Sequence, residues 1–403
     1  MAPDFLPGNR LTLLDSGKEY FPALLEAIEG ACQEIYLESY IFANDAVGHE
    51  VATALCRAAQ RGVVVNVAVD GFGGRNFRDD FVPRLTEAGV RTLLYRPELG
   101  RFRLRRHRLR RLHRKLVVVD RRIAFVGGIN IIDDFNAPPD MAPRYDYAVR
   151  LEGPTLRQIH RATRHMWEIL SWVNLKRRFR AGPSPAFADE ARGRQSAAFL
   201  IRDNIRHRND ILNAYIAAID AAQEEILIAN AYFLPGVRFG RALQAAARRG
   251  VKTTILLQGK TDHPLLRFAT QALYSTALAH NIRIFEYEKS FMHAKVAVID
   301  GEWATVGSSN IDPFSLLLAK EGNLLVRDAA FARQLRQSIR QAMADGAREM
   351  LPTELASQPV HSRLLRWLSY GLVRALVGMI GYGPRHWQAD EEAADLRPDS
   401  SAD

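Results

Sequence analysis

Two histidines and two lysines recur in this chain at identical spacing. His113-Arg114-Lys115 is followed by Asp120 and, past Gly127-Gly128, by Asn130. His293-Ala294-Lys295 is followed by Asp300 and, past Gly307-Ser308, by Asn310. Both runs read H-x-K-x4-D-x6-G-[GS]-x-N, and every letter of the second lies 180 residues beyond its counterpart. Paired histidines suit phosphodiester exchange. One neutral imidazole attacks phosphorus and becomes a phosphohistidine, while the other protonates the leaving alkoxide; the second then deprotonates the incoming alcohol. Lys115, Lys295, Asn130 and Asn310 would cradle the non-bridging oxygens, where negative charge builds. This chemistry needs no metal and no other cofactor, and no His/Asp/Glu cluster with ligand spacing is evident. One half-site would say little, because a lone histidine is more often a core or surface residue. Two in register imply one composite site.

Strand alternation sorts the letters. His113, Lys115, Val117 and Val119 share one face, and His293 and Lys295 behave alike. Asp120 and Asp300, counted with the catalytic motif, lie an odd number of residues past the lysines and are expected to act as turn or ion-pair residues. Each histidine needs an orienting carboxylate. Asp146 and Glu321 both precede an apolar strand after their motif and are the candidates, the first half carrying a longer loop around Pro138 and Pro139. Glu38 and Asn230, read as matching places earlier in the repeat, are further candidates.

The elements that position these residues alternate between strand and helix. Helical spacing at Phe21 to Ile28 precedes a strand-like run from Glu34 to Phe42. A helix over 48–60 stops at Arg61-Gly62, and the apolar run from Val63 to Val69 suits a strand covered on both faces. A helix over 80–88 and a strand from Val90 to Tyr95 follow. This is an α/β pattern with mixed sheets. The second half repeats it: Glu225 to Phe233 echoes the first long strand, and Asn281 to Tyr287 echoes Gly89 to Tyr95. The duplication therefore covers whole lobes, 1–175 and 196–350, joined by a basic linker over 176–195. A tail over 351–403 holds an amphipathic helix at about 363–380, with Arg363, Arg366, Tyr370 and Arg374 as its polar stripe, and a disordered acidic end. The helix suits a membrane interface or a seat on the protein's own core.

The 403 residues carry a formal net charge of +10, favouring a polyanionic partner. The dense basic run over 101–114, just before the first motif, reads as a landing strip for phosphates. Cys32 and Cys56 are expected to be reduced core residues, without disulfide or metal spacing. Met1-Ala2-Pro3-Asp4-Phe5 lacks the basic and apolar regions of a signal peptide, and no apolar run reaches spanning length.

The twin motifs resemble those of the phospholipase D superfamily, over about residues 8–350, and within it the bacterial cardiolipin synthases of the B type. Leu37 to Phe42, Asp146 to Pro154, Ala229 to Gly236 and Trp303 to Pro313 carry the likeness further. The resemblance implies two duplicated α/β/α lobes with the active site at their interface. It implies a phosphatidyltransferase, with phosphatidylglycerol as donor and as acceptor, and cardiolipin and glycerol as products. It also implies His113 as nucleophile, His293 as acid and base, and a peripheral place on the cytoplasmic face of the bacterial inner membrane, against anionic phospholipid. Three other readings stay open: a hydrolytic phospholipase, a phosphodiesterase acting on nucleic acid, and a membrane scaffold with a relict site. No recognised nucleic-acid module or aromatic-basic stacking pattern supports the second, so no nucleic-acid partner is expected. Oligomeric state is not legible.

Overall fold

The computed structural model describes residues 3–96, 110–176, 179, 190–203, 206–260, 264–312, 315, 319–356 and 359–379. Most of the basic run, most of the linker and the acidic end lie outside the described residues. The first half contributes strands β1 (Leu6–Asp15), β2 (Glu34–Ser39), β3 (Val64–Asp70), β4 (Arg91–Tyr95), β5 (Arg111–Leu112), β6 (Lys115–Val119), β7 (Ile123–Gly127) and β8 (Tyr147–Glu152). The second contributes β9 (Gln195–Arg202), β10 (Glu225–Asn230), β11 (Lys252–Gln258), β12 (Arg283–Tyr287), β13 (Lys295–Ile299), β14 (Trp303–Gly307), β15 (Ala319–Arg327) and β16 (Ala347–Glu349).

Their pairing is a near-palindrome. The path β4-β3-β2-β6-β7-β8-β1 runs on into β9-β15-β14-β13-β10-β11-β12-β16. The two mixed sheets thus join edge to edge at β1 and β9, where Leu6 faces Ala197 and Asn9 faces Gln195. Within each half, three parallel strands (β2-β3-β4 or β10-β11-β12) meet an antiparallel motif strand.

Local chemistry explains the elements. The run over β3 is mostly apolar, with Asn66 and Asp70 as its polar members, because both faces are covered: Val65, Val67 and Val69 enter one core and Ala68 another. Helix Ala46–Gln60 starts where the Asp45 carboxylate accepts from Gly48 N–H at 2.9 Å. It stops before Gly62, whose φ of 91° suits a residue without a Cβ. Val117, Val119 and Phe125 line the outer core of the first half, and Ala297 and Ile299 that of the second. The opposite faces, including Leu116, Val118, Val296 and Val298, share one central core with helices Leu156–Val173 and Ala329–Gly346. The central core therefore welds the halves behind the motif strands.

One expectation changes, and one open alternative gains an observation. Cys32 is exposed, in the turn before β2, because its backbone N–H is tied to Asp120; Cys56 is buried. The tail helix, Val360–Met379, does not lie free with its stripe toward water. Val373 is fully buried against helix Pro264–Gln271, with Tyr370 partly buried beside it. The Arg363 side chain lies outside the described residues. No helix among the described residues is long and apolar enough to cross a membrane.

Candidate active site

The antiparallel pairing of β6 with β2, and of β13 with β10, brings each motif lysine to the end where the parallel strands finish. Each histidine sits just before its strand and reaches across to the other half. His113 Nδ1 lies 3.0 Å from one Glu321 oxygen and 3.1 Å from the other. His293 Nδ1 lies 2.7 Å from Asp146. The backbone makes the same exchange. His113 N–H donates to the Lys320 carbonyl at 2.9 Å, and His293 N–H to the Tyr145 carbonyl at 2.7 Å. Each imidazole is thereby fixed by the lobe that does not carry it. A hydrogen bond from Nδ1–H to a carboxylate leaves Nε2 as the basic nitrogen.

The site buries two lysines beside two carboxylates. Lys115 and Lys295 are buried, and each ammonium donates to the carbonyl of its own motif histidine. Burial pushes Lys115 down to about 7 and Lys295 to about 8, with nearby carboxylates opposing the shift. Burial also lowers both histidines: His293 well below its usual value, with the two lysines adding to the drop, and His113 less, because Glu321 opposes it. Burial raises Asp146 to about 6 against the pull of Lys295. Glu321 would rise on burial alone, but His113, Lys115 and Ser308 hold it below its usual range.

The structure separates the motif letters. Asp120 and Asp300 are not at the site. They lie five residues past the lysines, about 16 Å along a strand, at the opposite end of the sheet. The Asp120 carboxylate accepts from the N–H groups of Cys32, Gln33 and Glu34 at 2.7 to 2.9 Å. Asp300 does the same for Gln223, Glu224 and Glu225 at 2.9 Å. Both hold φ near 50°, which a short polar side chain tolerates. Asn130 is buried, and its side-chain carbonyl accepts from Ile41 N–H at 3.1 Å, which fixes the orientation of its amide. Asn310 is buried beside Ser315.

Glu38 and Asn230 are not equivalent, and neither touches a histidine. The contacts of Asp120 and Asp300 align Glu34 with Glu225, so Ser39 matches Asn230 and Glu38 matches Ala229. A one-residue slip moves a side chain to the other face of the sheet. Glu38 forms a buried, bidentate ion pair with Arg114, both contacts at 2.8 Å. The Asn230 carbonyl accepts from Ile311 N–H at 3.2 Å.

Sequence reasoning missed three features. Ser308 and Ser315 donate to Glu321 at 2.5 and 3.1 Å; the Gly/Ser alternation in the motif was the only signal for Ser308, and Ser315, beyond the motif, had none. Tyr40 packs against His113 at a 60° tilt with ring centroids 4.9 Å apart, and the Lys115 ammonium lies 5.4 Å above its ring. Nothing in the strand-like run around Tyr40 distinguished it.

The family described as "Cardiolipin synthase, PLD-like domain" matches residues 24–167 and 215–343, which span both half-sites. The chain belongs to this family. It is 38% identical over 379 residues to "Cardiolipin synthase B" of Escherichia coli (strain K12), covering 94% of this chain and 91% of that one. It is 32% identical over 337 residues to "Major cardiolipin synthase ClsA" of Bacillus subtilis (strain 168), covering 82% and 68%. Among solved structures, phosphatidylserine synthase of Haemophilus influenzae Rd KW20 superposes with a TM-score of 0.70 at 14% identity, over 94% of this chain and 97% of that one. At that identity the likeness supports a shared fold.

Proposed function

We propose that the chain is a cardiolipin synthase, transferring a phosphatidyl group from one phosphatidylglycerol to another. The observation that carries the mechanism is the crossed pairing of each motif histidine with a carboxylate of the opposite lobe. In the first half-reaction Nε2 of His113 attacks phosphorus, and the glycerol oxygen leaves with a proton from Nε2 of His293. In the second, the hydroxyl of another phosphatidylglycerol gives its proton to His293 and displaces His113. The unequal carboxylates favour this order. An imidazole gains positive charge when it bonds to phosphorus, and ionised Glu321, held by two serines, stabilises that charge. An entering phosphodiester adds an anion beside His293 and raises its proton affinity, as an acid requires. Lys115 and Lys295 neutralise the non-bridging oxygens.

The partner surface is anionic phospholipid at the cytoplasmic face of the inner membrane, with peripheral contact. Two features support it: the net charge of +10, and the outward side of the tail helix. There Leu364, Leu365, Leu368 and Leu372 are 47–60% exposed and Trp367 is 73% exposed. Each half-exposed leucine forgoes roughly 1 kcal/mol, about half the value of full burial, which a lipid interface recovers.

The test is incubation of the purified protein with phosphatidylglycerol vesicles, followed by mass spectrometry of the lipids, with single-stranded DNA in a parallel tube. Cardiolipin with glycerol is the expected result. Phosphatidic acid alone would mean hydrolysis, and nicked DNA with unchanged lipid would mean a nuclease.

A further inference from the structure

Transfer to phosphatidylglycerol differs from hydrolysis in one electrostatic respect. The acceptor brings a second phosphodiester anion into a site that already holds the first. Lys115 and Lys295 face the transferred phosphorus, so a further cation is needed near the acceptor's side.

The strand register supplies one. Tyr145 bridges Met292 in parallel, and Tyr145 N–H donates to the Phe291 carbonyl at 2.9 Å. This sets Asp146 beside His293 and, one step outward on the same face, Arg144 beside Phe291. The side chains follow the register. The Arg144 guanidinium lies 4.9 Å from the Phe291 ring centre, and that ring stacks on His293 with centroids 6.1 Å apart. Arg144 Nη2 donates to the Asn136 carbonyl at 2.9 Å, while its Nε is buried without a hydrogen-bond partner. No carboxylate among the described residues forms an ion pair with it. Its charge is felt at His293, where it helps to lower the imidazole's proton affinity.

The matching register beside His113 is filled differently. Ala319 stands in the place of Arg144, and Arg111 in the place of Phe291, 4.7 Å from the ring centre of Phe72, where its charge bears on the buried carboxylate of Asp70. The His293 flank therefore carries a cation at a place where the His113 flank has an alanine.

We propose that Arg144 binds the phosphodiester of the acceptor lipid and so places the acceptor's glycerol hydroxyl against His293. Arg144 lies one same-face step of about 7 Å along the backbone from Asp146, the carboxylate on His293, and the Phe291 ring lies between the guanidinium and the imidazole. In the step served, the acceptor oxygen bonds to phosphorus as the bond from phosphorus to His113 Nε2 breaks. The bonding pair returns to the imidazole, and the hydroxyl proton passes to Nε2 of His293. Arg144 is a positioning residue for the acceptor; this role rests on the transferase reading above.

The experiment is a partition of one intermediate between two acceptors. Phosphatidylglycerol vesicles are supplied with ethanol, and the ratio of cardiolipin to phosphatidylethanol is measured. Both products come from the same phosphatidyl-enzyme, so the ratio is blind to the donor step. Arg144→Gln should lower the ratio about tenfold, the size expected for losing one charge-assisted contact, and Arg144→Lys should restore most of it. An unchanged ratio in Arg144→Gln, whatever the total rate, would overturn the assignment. If Arg144→Gln does not fold, the wild-type enzyme decides by competition between glycerol and glycerophosphomethanol. A preference for the phosphodiester that fades with salt supports the assignment, and equal use of the two refutes it. Wild-type protein that makes neither lipid product would instead remove the transferase reading itself.

Discussion

The two half-sites share a motif but not a construction. Around His113 the carboxylate is the longer Glu321, gripped by Ser308 and Ser315. Around His293 it is the shorter Asp146, pressed against Gly128, where a Cβ would lie 2.3 Å from a carboxylate oxygen. Gly128 and Ser308 are equivalent, as are Asp146 and Glu321. Each small residue therefore accompanies the carboxylate that its space allows. Behind the imidazoles the contrast repeats. Arg114 and Glu38 form a buried ion pair in the first half, where Ala294 and Ala229 stand in the second. The difference teaches that a duplicated motif keeps its reacting atoms while the supporting residues diverge in compensating pairs. It also gives the two histidines unequal surroundings, which is what a nucleophile and an acid require.

The largest expected effect tests the division of labour. His113→Ala should lower kcat by at least ~10^4-fold and His293→Ala by ~10^2–10^4-fold. With a donor whose leaving group needs no proton, only His293→Ala should accumulate an alkali-stable phosphohistidine, read by mass spectrometry on the peptide holding His113. Its appearance on His293 would invert the comparison. The carboxylates come next. Glu321→Gln should cost on the order of 10^3-fold in kcat, and Asp146→Asn should cost less, because burial already weakens the charge of Asp146. The reverse ranking in steady-state kinetics would contradict the assigned roles.

Third is stability. Arg114→Ala leaves a buried Glu38 unpaired and should destabilise the fold by about 3–5 kcal/mol in denaturant unfolding. The double change Arg114→Ala with Glu38→Ala, which copies the other half, should recover a large part of that loss. Fourth is pH. Lys115 and Lys295 titrate near 7 and 8 in the free site, so kcat/KM should fall as pH rises through that window and their positive charge is lost. The corresponding fall in kcat should lie at higher pH, because bound phosphodiester stabilises both ammoniums. The smallest contrast lies at the glycine. Ser308→Gly removes one donor to Glu321 and should cost a few-fold in kcat, whereas Gly128→Ser must displace Asp146 and should cost more.

Much of this was readable from the chain. Alternation gave the α/β order, and the repeat of His113, Lys115 and Asn130 at His293, Lys295 and Asn310 located the composite site. Asp146 and Glu321 were found because both follow the motif and precede a strand. Glu38 was misjudged because it was aligned with Asn230, one residue out of register. Lining up Glu34 with Glu225 would have shown Arg114 and Glu38 facing Ala294 and Ala229. Cys32 was misread because an apolar neighbourhood in sequence says nothing about a turn whose amides are claimed by a distant aspartate.

The sequence by itself determined the reacting groups, their duplication and the strands that carry them, because periodicity and repetition are local properties of a chain. Only the tertiary structure decided which carboxylate serves which histidine. Glu321 reaches His113 from 208 residues away and Asp146 reaches His293 from 147. Those pairings are fixed by how the two lobes dock across β1, β9 and the central core. That docking is the sum of many nonlocal contacts, and no single stretch of sequence encodes it.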